Sequence, residues 1–209
     1  MATYKLYTPE ASFRAFSTLV AAEYNGVTIE VSTDLAAASK SPVGKLPLLE
    51  LPGGSTIFSS HAMARYIAGV RRDTGLMGAT LSETAAIDSW MDWAAQDLEL
   101  PACVWFYPVA GYMPFNAPAY EKAKADLAKG LELLNNHLLD KTYLVNHQIS
   151  LADIVVASTL LYPFKLVADG NYLKPYPNVV RWFQTCVNQP EFQQVVGVVT
   201  MCKKELKAP

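Results

Sequence analysis

The sequence is poor in cysteine and pairs none of it. Cys103, Cys186 and Cys202 are odd in number, widely spaced and outside any Cys-x-x-Cys motif. That speaks against a disulfide framework or a zinc site and fits a reducing compartment. Histidine is equally sparse, and His61, His137 and His147 lack the close helical pairing that metal sites use. No Gly-x-x-x-x-Gly-Lys loop offers a cradle for nucleotide phosphates. Charge of one sign is missing too: 17 Lys plus Arg stand against 19 Asp plus Glu, a formal net charge of −2. Direct binding to a nucleic-acid backbone is therefore not expected. The longest apolar stretch, Ile154 to Phe164, is too short to span a bilayer, and the segment Met1 to Tyr7 lacks the apolar centre of a signal peptide. These absences predict a cytoplasmic protein with no metal, nucleotide or membrane chemistry of its own.

What is present is a chain of 209 residues, 51% of them hydrophobic, enough for one sizeable core or two small ones. Its first third alternates β-type runs with helical spacing. Thr3 to Tyr7 reads as a strand, Phe13, Phe16, Val20 and Tyr24 as a helix face, and Val27 to Val31 as a second strand. A short helix at Leu35 to Ser39, strands at Leu46 to Leu51 and Thr56 to Phe58, and a helix from about His61 to Val70 complete a βαβαββα unit. The glycines between Gly69 and Thr80 mark a connector, placing a boundary near residue 78: residues 1–78 in one domain, 79–209 in another. Beyond it strand signals vanish. Helices are expected at Ser82 to Leu98, Ala119 to Leu139, Leu151 to Leu166, Val179 to Asn188 and after Pro190. The sharpest local signal is Ser150-Leu151-Ala152-Asp153, a capping box with Ile149 poised to staple onto Ile154. Trp90, Trp93 and Asp97, at spacings of three and four, share a helix face.

A βαβαββα unit followed by an all-helical domain resembles the soluble glutathione transferases, whose N-terminal domain is thioredoxin-like. On that resemblance Lys45-Leu46-Pro47 carries a cis peptide before Pro47, so that the Leu46 backbone can pair with an extended tripeptide; taken alone, Pro47 reads equally as an ordinary strand-entry proline. Phe58-Ser59-Ser60-His61 matches the turn whose serine and helix start hold the γ-glutamyl carboxylate of glutathione. Ser60 takes the serine's place. Ser59 stands where the family usually has an acid to pair with the ligand's α-amino group; alternatively, Ser59 or Ser60 is simply an N-cap. In the turn Tyr7-Thr8-Pro9-Glu10-Ala11-Ser12, active transferases place a hydroxyl or thiol near the ligand sulfur to favour the thiolate. Thr8 and Ser12 are the catalytic candidates, and strand alternation turns Tyr7 away. Ser12 reads equally as the cap of the helix starting at Phe13.

A narrower resemblance rests on Val104-Trp105-Phe106-Tyr107-Pro108 and on the run from Arg181-Trp182-Phe183 through Asn188-Gln189-Pro190-Glu191-Phe192 to Cys202-Lys203-Lys204. With Leu6-Tyr7-Thr8 and Arg14-Ala15-Phe16, these look like the N-terminal glutathione-transferase-like region of the gamma subunit of translation elongation factor 1. The resemblance implies a cytoplasmic subunit that anchors the guanine-nucleotide exchange subunits of elongation factor 1, requires no cofactor, and belongs to a longer chain continuing past Pro209. Its second implication is a working transferase that conjugates glutathione, or a larger glutathione-containing thiol, to electrophiles. A homodimer is compatible with either. In the aromatic loop Tyr107 to Tyr120, the residues Tyr112, Met113 and Phe115 suit a docking surface, a cover over the helical core or the wall of a cosubstrate pocket. Asp97 is a candidate for reaching a neighbouring subunit's ligand.

Overall fold

The computed structural model describes residues 3–208. Residues 1 and 209, the outer limits of the two expected domains, lie outside the described residues. The chain runs through β1 (Tyr4–Tyr7), α1 (Phe13–Asn25), β2 (Ile29–Ser32), a 3-10 helix (Leu35–Lys40), β3 (Leu48–Glu50), β4 (Thr56–Phe58) and α2 (Ser60–Gly69). This is the expected βαβαββα order, with its middle helix reduced to a 3-10 helix. There the Asp34 carboxylate accepts from the Ala36 N–H at 2.9 Å and supports the first turn. β2 starts two residues later than the β-branched run suggested. Gly26, at φ 60°, closes α1 in the left-handed conformation, and Val27 still bonds back to Ala22 before the strand can begin.

The strands lie in the order β2-β1-β3-β4, β1 parallel to β2 and antiparallel to β3, which pairs antiparallel with β4. Alternation sends Leu6 and Leu49 into the main core beside α1 and α2, and Tyr7 and Leu48 into a small cluster with Ala37. The Tyr7 hydroxyl donates to Glu50 at 3.2 Å and accepts from Lys40 at 3.0 Å, so it is committed on that side. At the far end of α1, Asn25 donates to the carbonyls of Ile67 and Ala68 (2.7 and 3.1 Å), capping the last turn of α2.

Beyond β4 the described residues form no further strand. α3 (Leu81–Trp93) opens on a Thr80–Glu83 capping box, runs through a π turn (Ala94–Leu98) and continues as α4 (Glu99–Phe106). The helix was expected to end at Leu98, yet it continues through Pro101. The π turn explains the difference: Glu99 N–H reaches back five residues to Ala94, widening the turn where the Pro101 ring would otherwise meet a carbonyl. α5 (Ala117–His137), α6 (Leu151–Leu166), the short α7 (Gly170–Leu173), α8 (Pro177–Val187) and α9 (Pro190–Val196) follow. Trp90 and Trp93 stack edge to face at 5.2 Å, partly buried against the core, whereas Asp97 is exposed in the π turn.

α6 is the axis of the helical part, buried on nearly every side, and α1 packs on both α2 and α6. The connector is fastened to it as well: the Leu76 carbonyl accepts from Leu151 N–H at 2.9 Å. Gly78 sits in that connector at φ 76°, and a Cβ there would stand 2.6 Å from Glu83 Cβ and 3.3 Å from its backbone carbon. Gly78→Ala is expected to destabilise the domain by about 1–3 kcal/mol, because it strains the backbone and displaces the residue that closes the capping box. Urea unfolding of the two proteins checks this.

Candidate functional site

Sheet register brings three of the expected segments together. Tyr7 lies opposite Leu48, and Leu48 opposite Phe58. Thr8, Pro47 and Ser59, each one residue beyond that aligned row, therefore leave the sheet at the same end. The Leu46–Pro47 peptide is cis. Pro47 is buried, Leu46 packs against the Tyr7, Ala37 and Leu48 cluster, and Lys45 is exposed.

Ser59 occupies the N-cap position of α2, yet its side chain makes no capping hydrogen bond, and its backbone is held at φ 73°, ψ 123°. A non-glycine residue at positive φ costs on the order of 1–3 kcal/mol and persists only where its surroundings hold it there. Ser60 is the first residue of the helix. Met63 N–H bonds to the Ser59 carbonyl, leaving the earlier N–H groups of the first turn open to an anion. His61 comes next, partly buried. Burial first, and Arg65 further, hold its pKa below the usual histidine value against the opposing pull of Glu99 and Asp92.

The two catalytic candidates differ. Thr8 is 5% exposed and its hydroxyl donates to the Pro9 carbonyl at 3.1 Å. Ser12 does stand at the N-cap of α1 but makes no capping hydrogen bond. It lines a cavity of about 280 Å³ together with Phe13, Arg14, Phe106, Tyr107, Tyr112 and Tyr162. Of the three roles open to the aromatic loop, Tyr107 and Tyr112 thus take the pocket wall. Phe115 lies in a separate groove beside Tyr120 and Lys124.

Two ties close this pocket between α1 and the helical part. Arg14 Nε donates to Glu99 Oε1 at 2.9 Å, and its Nη1 to the Tyr107 hydroxyl at 3.3 Å. The Tyr162 hydroxyl donates to the Ala11 carbonyl at 2.7 Å, at a residue whose φ is 53°. Burial pushes the Tyr107 hydroxyl up to about 12 and the nearby Cys103 thiol up to about 11. Both are protonated at neutral pH, so neither supplies an anionic nucleophile. Among the described residues no group of three or more His, Cys, Asp or Glu is placed to hold a metal, and no helix is long and apolar enough to cross a membrane.

The comparisons with known proteins bear on this geometry. The protein named Probable elongation factor 1-gamma 2 of Arabidopsis thaliana is 42% identical over 92% of the chain, and elongation factor 1-gamma of Carassius auratus 37% over 98%. The solved glutathione-transferase-like domain of elongation factor 1-gamma from Saccharomyces cerevisiae matches with a TM-score of 0.86 at 25% identity, each chain covered in full. The chain belongs with the glutathione-transferase-like domains of elongation factor 1-gamma. It spans about half the length of the curated relatives it matches, 48% of each of these two. The model of the glutathione S-transferase C-terminal domain matches residues 96–190. Glutathione transferase F2 of Populus trichocarpa shares the fold, with a TM-score of 0.82 at 20% identity over 92% of this chain and 97% of that one. The expected architecture, a thioredoxin-like unit followed by a helical domain, is the one found.

The sequence reading missed Arg14, Glu99, Phe106 and Tyr162 as pocket residues. Arg14 alone carried a signal, a charge in the first turn of α1 between Phe13 and Phe16. Glu99 and Phe106 lie on a helix beyond the expected end at Leu98, and Tyr162 lies inside α6 with no local signal.

Proposed function

We propose that the chain acts in translation elongation as a cytoplasmic assembly domain, anchoring the guanine-nucleotide exchange subunits of elongation factor 1, and that its sheet-end pocket takes a glutathione-type thiol. The observation that carries the reading is the 37–42% identity to elongation factor 1-gamma proteins across 92–98% of the chain. The commitment of the Thr8 hydroxyl to Pro9 fits a domain that holds partners more than one that turns over a thiol. In the pocket, Leu46 and Pro47 would meet the peptide backbone of the thiol, Ser59 and Ser60 its γ-glutamyl end, and Lys45 its solvent-facing side.

A second reading, a thiol transferase, is favoured by one observation. Ser12 faces the aromatic cavity without capping its own helix, which makes it the hydroxyl available to a thiolate. Co-sedimentation of the purified domain with the exchange subunit tests the first reading, and association that persists in Ser60→Ala is expected. Failure to associate would overturn it. In a parallel calorimetric titration, Ser60→Ala is expected to weaken glutathione binding roughly ten- to a hundredfold, the effect of losing a hydrogen bond of about 1.5–3 kcal/mol to a charged group. Electrophile turnover abolished by Ser12→Ala would establish the transferase reading, and no turnover in the wild type would remove it.

A further inference from the structure

Beneath the first turn of α2 lies a cavity of about 10 Å³, about the room one water needs. Ser60 and His61 line it from α2, Arg14 from α1, Glu99 from α4 and Ser158 from α6. Ser158 is 4% exposed, and its hydroxyl finds no hydrogen-bond partner. A buried hydroxyl left unpaired points to a polar occupant. The start of α2 is thus marked as a polar seat by a residue that belongs to another helix.

His61 follows Ser60 directly in the first turn of α2, one residue along from an anion that the opening N–H groups of the helix would hold. The charged groups around that ring come from four elements: Arg65 on α2 itself, Asp92 on α3, Glu99 on α4 and Arg14 on α1. Arg14 and Glu99 are paired with each other, and Arg65 with Asp88. Asp92 is the carboxylate near the ring outside those pairs; its pull and that of Glu99 are outweighed by burial and Arg65, and the positive helix end also opposes charge on His61. We propose that the seat takes up a proton as it fills with a carboxylate, His61 being the acceptor. The statement rests on reading the start of α2 as the γ-glutamyl carboxylate seat of a thiol ligand. In the balance, neutral imidazole, one solvent proton and the free anion become imidazolium beside the bound anion. Affinity should then strengthen as pH falls from the occupied-state pKa of His61 to its empty-state pKa, by roughly tenfold for each unit separating them.

The test is calorimetry with S-methylglutathione, whose blocked sulfur has no proton to release, in two buffers of different ionisation enthalpy across about pH 6 to 8. Buffer-dependent heat equivalent to a fraction of one proton is expected, with affinity falling several-fold toward the alkaline end. His61→Gln should erase both effects while binding persists at high pH. The wild-type His61 ring resonance, distinguished from His137 and His147, should titrate at higher pH with ligand bound, which keeps the test intact if the variant misfolds. Binding with equal heats in both buffers, or an unmoved His61 titration, would overturn the proton uptake and leave the seat standing. No binding in any buffer would overturn the seat and the proton uptake together.

Discussion

Asp153→Ala is expected to cost the domain at least about 3–5 kcal/mol, the penalty of removing one member of a fully buried charged network. Asp153 has no exposed surface. One carboxylate oxygen accepts from Leu144 N–H (2.9 Å) and Trp182 Nε1 (2.8 Å), and the other from the Ser150 N–H (2.9 Å) and hydroxyl (2.8 Å). Burial raises its pKa, and these four donors pull against that rise. Alanine leaves all four unpaired in a place water does not reach, against a total stability typically of about 5–15 kcal/mol. Asp153→Asn keeps the shape and part of the accepting capacity but turns an N–H₂ toward a donor, so it should fall between wild type and alanine. Urea unfolding measures both. A loss under about 1 kcal/mol for alanine would mean that the donors find other partners.

Trp105→Ala is expected to cost a further about 3–5 kcal/mol at a separate place, the C-terminal tail. The indole is fully buried, tilted against Tyr172 at 4.5 Å and edge-on to Tyr120 at 6.5 Å, and its Nε1 donates to Glu205 at 3.2 Å. Glu205 also accepts from the Tyr120 hydroxyl at 2.8 Å and from Lys124 at 2.7 Å. Removing the ring opens a cavity and loosens a segment that is also held by the backbone bonds of Cys202 to Phe164 and Leu206 to Leu166 and by the Cys202 thiol on the Leu166 carbonyl. Trypsin should then cut at Lys203, Lys204 and Lys207 faster than in wild type. The latch is also pH-dependent. Burial pushes the Glu205 carboxyl up, but hydrogen bonds from Lys124, Tyr120 and Trp105 outweigh it and hold the carboxyl below the ordinary glutamate range. Its stabilising contribution is therefore complete above the unfolded pKa of about 4.3 and is lost as pH falls through the folded one. Glu205→Gln should loosen the tail at neutral pH while leaving the indole in place, which separates latch from core.

Elements whose signal is local were legible in the sequence. α6 runs from Leu151 to Leu166 as its capping box predicted, because Ser150 and Asp153 fix a start that does not depend on distant contacts. Strand alternation likewise placed Tyr7 on the sheet face opposite Leu6, where Lys40 and Glu50 hold its hydroxyl. α4 was not legible, since the device that tolerates Pro101 is a backbone register shift that no residue type announces. The candidate seat was readable as Pro47, Ser59 and Ser60 through resemblance. The left-handed backbone of Ser59 and the opposite fates of the Thr8 and Ser12 hydroxyls depend on neighbours far along the chain.

The aligned row of Tyr7, Leu48 and Phe58 makes this end of the sheet modular. Its three lips are loops that begin one step past a common rung, so a side chain on one lip can change while the other two stay in place. Ser59, exposed and uncommitted at its lip, is such a position: exchanging its side chain would change what this end of the sheet presents without repacking it. A one-residue slip of β3 would do the reverse, exchanging the faces to which Leu48 and Leu49 point and moving a lip off the rung while every lip side chain stayed the same.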